Sequence, residues 1–535
     1  MPTQRDDEPA TRGGRKGIAG AASAAGLLLA LAGCAVGPQF VKPPAPANPS
    51  WSEKEKPQLN TQTPADSAWW RAFNDSTLDS LVNHAYHQNL SLQAAGLRIM
   101  ESRAQLAIAV GRQWPQVQAA FASATGVGIS KNAANSVLAD HYFWDYQVGF
   151  DAAWELDFWR KYGKEVQASE ATYLATVADY DDALVTLTAE VARTYAVIRT
   201  FEVLIDLART NATLQEEGQR IAQSRFRNGA TSELDVTQAT TLLESTRASI
   251  PQLEIGLQQA ENALSTLLGR PTGSVQAMLT GSSGIPAPPA QVAVSVPAEM
   301  LRRRPDIRSA ELLAVAQCDR IGVAKADLYP SFTLFGSIGT QTSSGGGRLA
   351  NNSSFADLFG PNSWFYNFGP QILWPLFNYG RITNNVRVQD ARLQQLLVGY
   401  QNSVIRAAQE VEDGMTGFLK AEEAAVFAQN AANAAQQSVT LALSQYREGA
   451  VDYQRVLDAE RSLLEEQNSL AGTRSSAATN LIALYKALGG GWELRKGQPV
   501  VPDSTQEEMK RRTNWGDLFS TPPPPPQTSN GSTPR

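Results

Sequence analysis

Histidine and cysteine are scarce in this chain: three of one and two of the other in 535 residues. Neither falls at a zinc spacing, and two lone cysteines do not make a disulfide framework. No long basic block occurs and the net charge is −6, so the phosphate-binding surface that a nucleic-acid partner needs is missing. A nucleophile elbow, a phosphate-cradling loop and a metal motif are all lacking. One histidine pair, His84 and His87, has helical spacing but no third ligand or acid partner near it, and reads as surface histidine. We expect no cofactor, no resident metal and no catalysis. After residue 33 no apolar run approaches the roughly 20 residues of a membrane-spanning helix. If this chain crosses a membrane, strands do it.

What is present begins with an export signal. Arg12, Arg15 and Lys16 precede a small-residue and leucine stretch from Ile18 to Ala32, the layout of a secretion signal. It closes in Leu31-Ala32-Gly33-Cys34, which resembles the bacterial lipobox cut before a cysteine that is then acylated. Cys34 is the expected lipid-attachment site. Residues 1–33 are then the signal peptide and 34–76 a lipidated, extended segment. Ala35 stands where an aspartate would imply inner-membrane retention, which favours the outer membrane.

The rest of the chain is written twice. SRFRNGATSELDVTQATTL from Ser224 and SQYREGAVDYQRVLDAERS from Ser444 share glycines at 229 and 449. At the same offset stand Ala230 and Ala450, Val236 and Val456, Ala239 and Ala459, and Leu268-Gly269 and Leu488-Gly489. Tyr146, Gly149 and Trp154 match Tyr366, Gly369 and Trp374. Each copy reads helix, two strands, very long helix, tip, long helix, over residues 77–269 and 299–489. Such duplication governs any fold assignment. Residues 270–298 are the linker between copies, and 490–535 a C-terminal segment ending in a Pro-rich tail. From about Pro499 onward we expect loosely ordered, extended chain.

Period two is the sharpest physical signal. Tyr142, Trp144, Tyr146, Phe150 and Trp154 alternate with Asp145, Gln147, Gly149 and Asp151. Trp364, Tyr366, Phe368 and Trp374 alternate with Asn367, Gly369 and Gln371. Alternation places the two sets on opposite faces of a strand. Segments of about 10 residues, aromatic on one face and polar on the other, suit a transmembrane β-barrel with the aromatics toward lipid; a soluble sandwich strand is the plainer alternative. Two partner strands, near Gln116–Val127 and Ser331–Thr340, bring the number to four, too few to close a barrel. Open edges are not tolerated in lipid, so closure must come from other copies of the chain. From about Tyr162 to Arg227 an apolar seam, Leu184, Leu187, Val191, Tyr195 and Ile198, marks one helix on the order of 100 Å long. Its counterpart runs from about Arg381 to Arg447. Pro251 should bend the returning helix or remove one of its hydrogen bonds.

The lipobox, the duplicated unit and the motifs Arg225-Phe-Arg-Asn-Gly-Ala and Tyr446-Arg-Glu-Gly-Ala together resemble the outer-membrane efflux factor family (TolC-like). Leu301-Arg-Arg-Arg-Pro-Asp-Ile-Arg308 is similar to a signature of its NodT-type lipoprotein branch, which serves resistance-nodulation-division pumps. The resemblance covers roughly residues 36–495. It implies an α+β membrane protein: a homotrimer whose twelve-stranded transmembrane β-barrel, four strands per protomer, is continuous with a long periplasmic α-helical barrel. It further implies an equatorial belt around that helical barrel, built partly from the linker and the C-terminal segment. The partners implied are a periplasmic adaptor (membrane-fusion) protein and an inner-membrane pump, and the function is passive exit of drugs, toxic compounds or metal ions. On this reading Gly229, Ala230, Gly449 and Ala450 form adaptor-docking tips. Gln454, Asp458 and Arg461, spaced on one helix face, form the periplasmic gate, with Arg461 offsetting Asp458 and with Asp235 and Asp452 as further candidates. Gln454 departs from the leucine that related channels carry there, which puts a hydrophobic seal in doubt. An exit duct for type I protein secretion and a non-channel periplasmic lipoprotein remain as alternatives, the second opposed by the aromatic strands.

Overall fold

The computed structural model describes residues 35–520, apart from 45, 47, 54, 61–67, 133, 135–139, 295–296, 298–302 and 345–352. Cys34, the signal before it, Leu301 and Arg302 of the signature, and the tail from residue 521 lie outside the described residues. The helices in chain order are α1 Ser76–Gln88, α2 Leu90–Gly111, α3 Lys161–Arg227, α4 Glu233–Leu267, α5 Pro305–Ala326, α6 Arg381–Glu448, α7 Tyr453–Ala487 and α8 Asp503–Arg512. Two compact units divide the chain.

The first unit comprises Met1–Lys42, Arg103–Thr172 and Leu313–Leu396. Its centre is one antiparallel sheet of strands β1 Val117–Gly128, β2 Tyr142–Glu155, β3 Ser331–Ser344 and β4 Trp364–Leu373, in that spatial order. Strand β3 runs four residues past the expected end at Thr340, where Ser343 and Thr342 still pair with Asp145 and Tyr146. The register sets Ala120, Phe150, Ile338 and Tyr366 side by side across all four strands, so one face is apolar from edge to edge. On it Trp144 stacks on Tyr146 at 6.4 Å and Tyr366 on Phe368 at 6.3 Å. Both pairs are same-strand neighbours two residues apart, which the pleat places on one face.

Trp374 falls one residue beyond β4, which ends at Leu373, because Pro375 follows and cannot extend the ladder. Its indole instead donates to the Leu328 carbonyl at 3.1 Å, as Trp154 donates to Gln113 at 3.2 Å. The duplication thus extends to hydrogen bonds. On the opposite face Asp145 accepts from Gln147, Gln341 and Ser343 at 2.8–3.0 Å. That face also holds a row the alternation did not suggest: Phe121, Gly149, Gly339 and Phe365 are direct neighbours across the sheet. The rings lie over the glycines, since a Cβ on Gly149 would meet Phe121 Cζ at 2.7 Å and one on Gly339 would meet Phe365 Cε1 at 3.0 Å. Just after Cys34, the Val36 amide donates to the Trp159 carbonyl at 3.4 Å and the buried Cys318 thiol points at the Pro38 carbonyl, 3.7 Å away. Burial pushes that thiol's pKa up.

The second unit comprises Pro43–Ser102, Tyr173–Leu312 and Leu397–Arg535. The seam of α3 is buried as its spacing requires: Leu184, Val191, Tyr195 and Ile198 are wholly inaccessible. Helix α4 continues through Pro251 without interruption; proline lacks the amide, so one carbonyl a turn earlier loses its helical partner. The linker is more ordered than its composition suggests. Val292–Ala293 pair in parallel with Leu59–Asn60, and Arg199 Nη2 donates to the Leu279 carbonyl at 2.6 Å.

The C-terminal segment likewise departs from expectation: residues 503–512 are helix, not extended chain. Pro502 at the start, Asp503 in the first turn and Lys510, Arg511 and Arg512 in the last explain it, since these charges suit the two ends of the helix dipole. The arginine-rich signature acts structurally. Buried Arg304 binds Asp306 at 2.8 Å, Glu410 at 2.7 Å and the carbonyl of Ala487 at 3.0 Å, closing the C-terminus of α7. Arg303 pairs with Glu493 at 3.1 Å. Arg495 grips Asp181 with two guanidinium nitrogens, both side chains almost inaccessible. Replacing Asp181 with alanine strands a buried guanidinium, and thermal or denaturant unfolding should register a loss of about 3–5 kcal/mol.

Candidate functional site

Two helical hairpins of the second unit, α3–α4 and α6–α7, end in matched turns. In the first, Ala230 N–H donates to the Arg225 carbonyl at 2.8 Å and Gly229 N–H to Phe226 at 2.9 Å. In the second, Ala450 N–H donates to Gln445 at 2.9 Å and Gly449 N–H to Tyr446 at 3.0 Å. This double closure of the last helical turn requires a left-handed residue at its C-terminal end, and Gly229 and Gly449 have φ of +70° and +83°. Asp452 then caps α7 by accepting from the Arg455 amide at 3.3 Å. Below the turns a common core of Ala222, Ala239, Leu242, Val439, Leu443, Tyr446, Tyr453, Val456 and Leu457 joins all four helices.

The hairpins are also tied by polar contacts that sequence reading did not assign. Arg225 Nη1 donates to the Tyr446 carbonyl at 2.6 Å, and its guanidinium lies 4.8 Å from the centre of the Tyr446 ring. A cation at a helix C-terminus satisfies carbonyls that have no helical partner. The Tyr446 hydroxyl, fully buried, donates to Asp235 Oδ2 at 3.4 Å, and Thr231 holds the same oxygen. Burial raises the pKa of Tyr446, while Arg225 opposes the shift. Arg447 reaches across to Glu217. Arg225 stood in the quoted tip motif, but only the spacing of the two hairpins reveals it as a cross-tie.

Gln454, Asp458 and Arg461 lie on one exposed face of α7. Asp458 Oδ1 accepts from Gln454 Nε2 at 2.8 Å, and no Asp458–Arg461 ion pair forms. The expected offsetting of Asp458 by Arg461 is therefore replaced by a hydrogen bond from the neighbour one turn earlier. Arg461 is exposed, and an exposed pair gains under about 1 kcal/mol and loses side-chain freedom. His84, away from the tips, accepts from Arg270 Nε at 3.0 Å, and burial lowers its pKa. His87 bonds to the Asn83 carbonyl at 2.8 Å. Among the described residues no group of three or more His, Cys, Asp or Glu is placed to hold a metal ion.

A family model described as outer membrane efflux protein matches residues 81–270 and 296–490, one match for each copy of the duplicated unit. The chain belongs to the outer membrane efflux protein family. This efflux protein is 28% identical over 468 residues to cation efflux system protein CusC of Escherichia coli O6:H1, covering 87% of this chain and 98% of the relative. It is 30% identical over 465 residues to nodulation protein T of Rhizobium leguminosarum bv. trifolii, covering 87% and 96%. The solved structure of the outer-membrane channel OprN superposes with a TM-score of 0.79 at 28% identity, covering 86% of this chain and 100% of that one. The fold is accordingly that of the TolC-like outer-membrane channels, helix-rich and internally duplicated. The protein is an outer-membrane component of an efflux system, a transport protein by family.

Substituting valine for Gly229 or Gly449 puts a β-branched residue into left-handed backbone, at a cost on the order of 1–2 kcal/mol. Amide hydrogen exchange should quicken in residues 225–235 for the first variant and 445–455 for the second, with the rest of the chain unchanged.

Proposed function

We propose that three copies of this efflux protein assemble into a twelve-stranded transmembrane barrel continuous with a periplasmic α-helical barrel, and that small molecules leave the cell passively through it. The observation that carries the reading is the sheet: among the described residues, four strands with both edges unpaired, one face apolar from edge to edge, in a member of an outer-membrane efflux family. Strands exposed to lipid must pair at every edge, and twelve strands enclose a lumen wide enough for solutes. Tyr142, Trp144, Tyr146, Phe150, Trp154, Trp364, Tyr366 and Phe368 then meet lipid, with Trp374 just below them at the membrane rim. Asp145, Gln147 and Gln341 line the lumen.

The division into a signal peptide to residue 33, a lipidated segment from Cys34, two repeats at 77–269 and 299–489, the 270–298 linker and the 490–535 segment is part of the same proposal. Acyl chains on Cys34 add a second anchor to the barrel, and the clasp of Val36 on Trp159 supports a fixed site for it. Six tips per trimer, built on Gly229-Ala230 and Gly449-Ala450, offer a docking surface for a periplasmic adaptor and, through it, an inner-membrane pump of the resistance-nodulation-division type. Three copies of Asp458, each steadied by Gln454, form an acidic ring at the entrance that selects cations, with Arg461 on the same face. The cation efflux in the name of CusC makes cations the first class to assay here, beside drugs and dyes.

The two faces of β2 supply the test. Phe150→Arg puts a charge against lipid at roughly 2–4 kcal/mol near the midplane and should deplete the protein from the outer-membrane fraction. Gln147→Arg, on the other face, should insert normally and alter conductance in planar bilayers. The reverse pattern would overturn the assignment of faces.

A further inference from the structure

Helices α3 and α7 run antiparallel along a buried polar seam. Thr200 donates to Ser475 at 2.8 Å, and Asn211 Nδ2 to Gln467 Oε1 at 2.6 Å. Toward the tip the seam continues in Gln215 and Gly218 on α3 and in Glu460 and Tyr453 on α7, but its hydrogen bonds stop. Both oxygens of Glu460, both polar atoms of the Gln215 amide, Asn211 Oδ1 and the Tyr453 hydroxyl are buried without a partner. Glu460 and Tyr453 are wholly inaccessible, and Gln215 is 1% exposed. Two of them converge on the bare α-carbon of Gly218: a Cβ there would lie 3.0 Å from Glu460 Oε1 and 3.1 Å from the Tyr453 hydroxyl.

What surrounds this carboxyl is neutral or apolar. Helix α3 presents Gly218 to it and α7 itself Tyr453. The apolar cluster that holds its α7 neighbours Tyr453, Val456 and Leu457 also takes in Ala239 and Leu242 of α4 and Val439, Leu443 and Tyr446 of α6. The Tyr453 hydroxyl beside it interacts electrostatically with Glu460, Tyr446 and Asp235, none of which carries positive charge. Arg225 and Arg461 face elsewhere, the first on the Tyr446 carbonyl and ring and the second on the exposed side of α7. An ionised carboxylate here would be desolvated and uncompensated, which proteins avoid by neutralising the group. A protonated Glu460 suits the surroundings: the neutral acid leaves no buried charge beside the Tyr453 hydroxyl and the bare Gly218.

We propose that Glu460 is a proton-binding site: protonated, it lets α7 pack on α3, and ionised, it drives the two hairpins apart. Burial pushes its pKa up to about 8, within reach of an alkaline exterior. The sign follows from a pKa raised above that of the unfolded chain. Packing stabilised by the proton is fully present below about pH 4.5, weakens as pH rises, and is lost through about pH 8. That the separated hairpins open a channel entrance rests on the channel reading above; the protonation and the packing do not.

The experiment uses the full-length protein in detergent or lipid. Infrared difference spectra should show a protonated carboxyl that wild type loses between about pH 6 and pH 10 and that Glu460→Gln lacks. Hydrogen exchange at residues 453–463, corrected for intrinsic rates, should quicken over the same range in wild type. It should stay flat in Glu460→Gln and in the second non-titrating variant, Glu460→Met. A carboxylate already ionised at about pH 6, exchange in either variant that follows pH as wild type does, or protection that follows sodium or potassium concentration instead of pH would each overturn the proposal. If the tips respond to pH as described but planar bilayers show no conductance, the proton site stands and the channel reading fails.

Discussion

A backbone amide in hydrocarbon has no water to bond with, and everything else in this protein answers to that constraint. Among the described residues, strands β1 and β4 each leave one edge of the sheet unpaired. One face of the sheet is apolar across its width, while the other carries Asp145, Gln147 and Gln341. Such a sheet is stable in lipid only as part of a closed barrel, and a barrel with a polar interior is a conduit. The family match and the OprN-like fold show an outer-membrane channel fold; closure of the sheet is the proposal built on it.

Duplication is the second organising fact, and it is exact enough to be read in individual hydrogen bonds. Trp154 and Trp374 brace the strand bases through the same indole contact, and Gly229 and Gly449 close the tips with the same pair of amides. The copies differ where they meet. Arg225 of the first caps the last carbonyls of α6 in the second, Tyr446 of the second reaches Asp235 of the first, and Glu460 faces Gly218. The divergent residues tie the two hairpins to each other.

The sequence reveals most where periodicity is strong. Alternation located all four strands, and the seam from Leu184 to Ile198 located α3, because burial on one face leaves a repeating mark. Its reach ended wherever a contact joins distant segments. Nothing local marks Phe121 and Phe365 as neighbours of Gly149 and Gly339, or assigns Asp458 to Gln454 rather than Arg461. Glu460 sits in a run of charged residues, Asp458 to Arg461, whose neighbours are exposed; only the packing of α3 buries it. The C-terminal helix was hidden by the prolines on both sides of it, although its charge order is that of a stable helix.

The central claim is that neighbouring copies complete the sheet, and cysteine pairs across its two edges test it most directly. With Cys318 replaced, one cysteine is placed along β1 and one along β4, and the protein is oxidised in isolated outer membranes. If β1 of one chain pairs with β4 of the next, some positions should cross-link in a ladder that ends at three chains. A product that remains a single chain at every pair of positions, or a ladder that continues beyond three, would contradict the account.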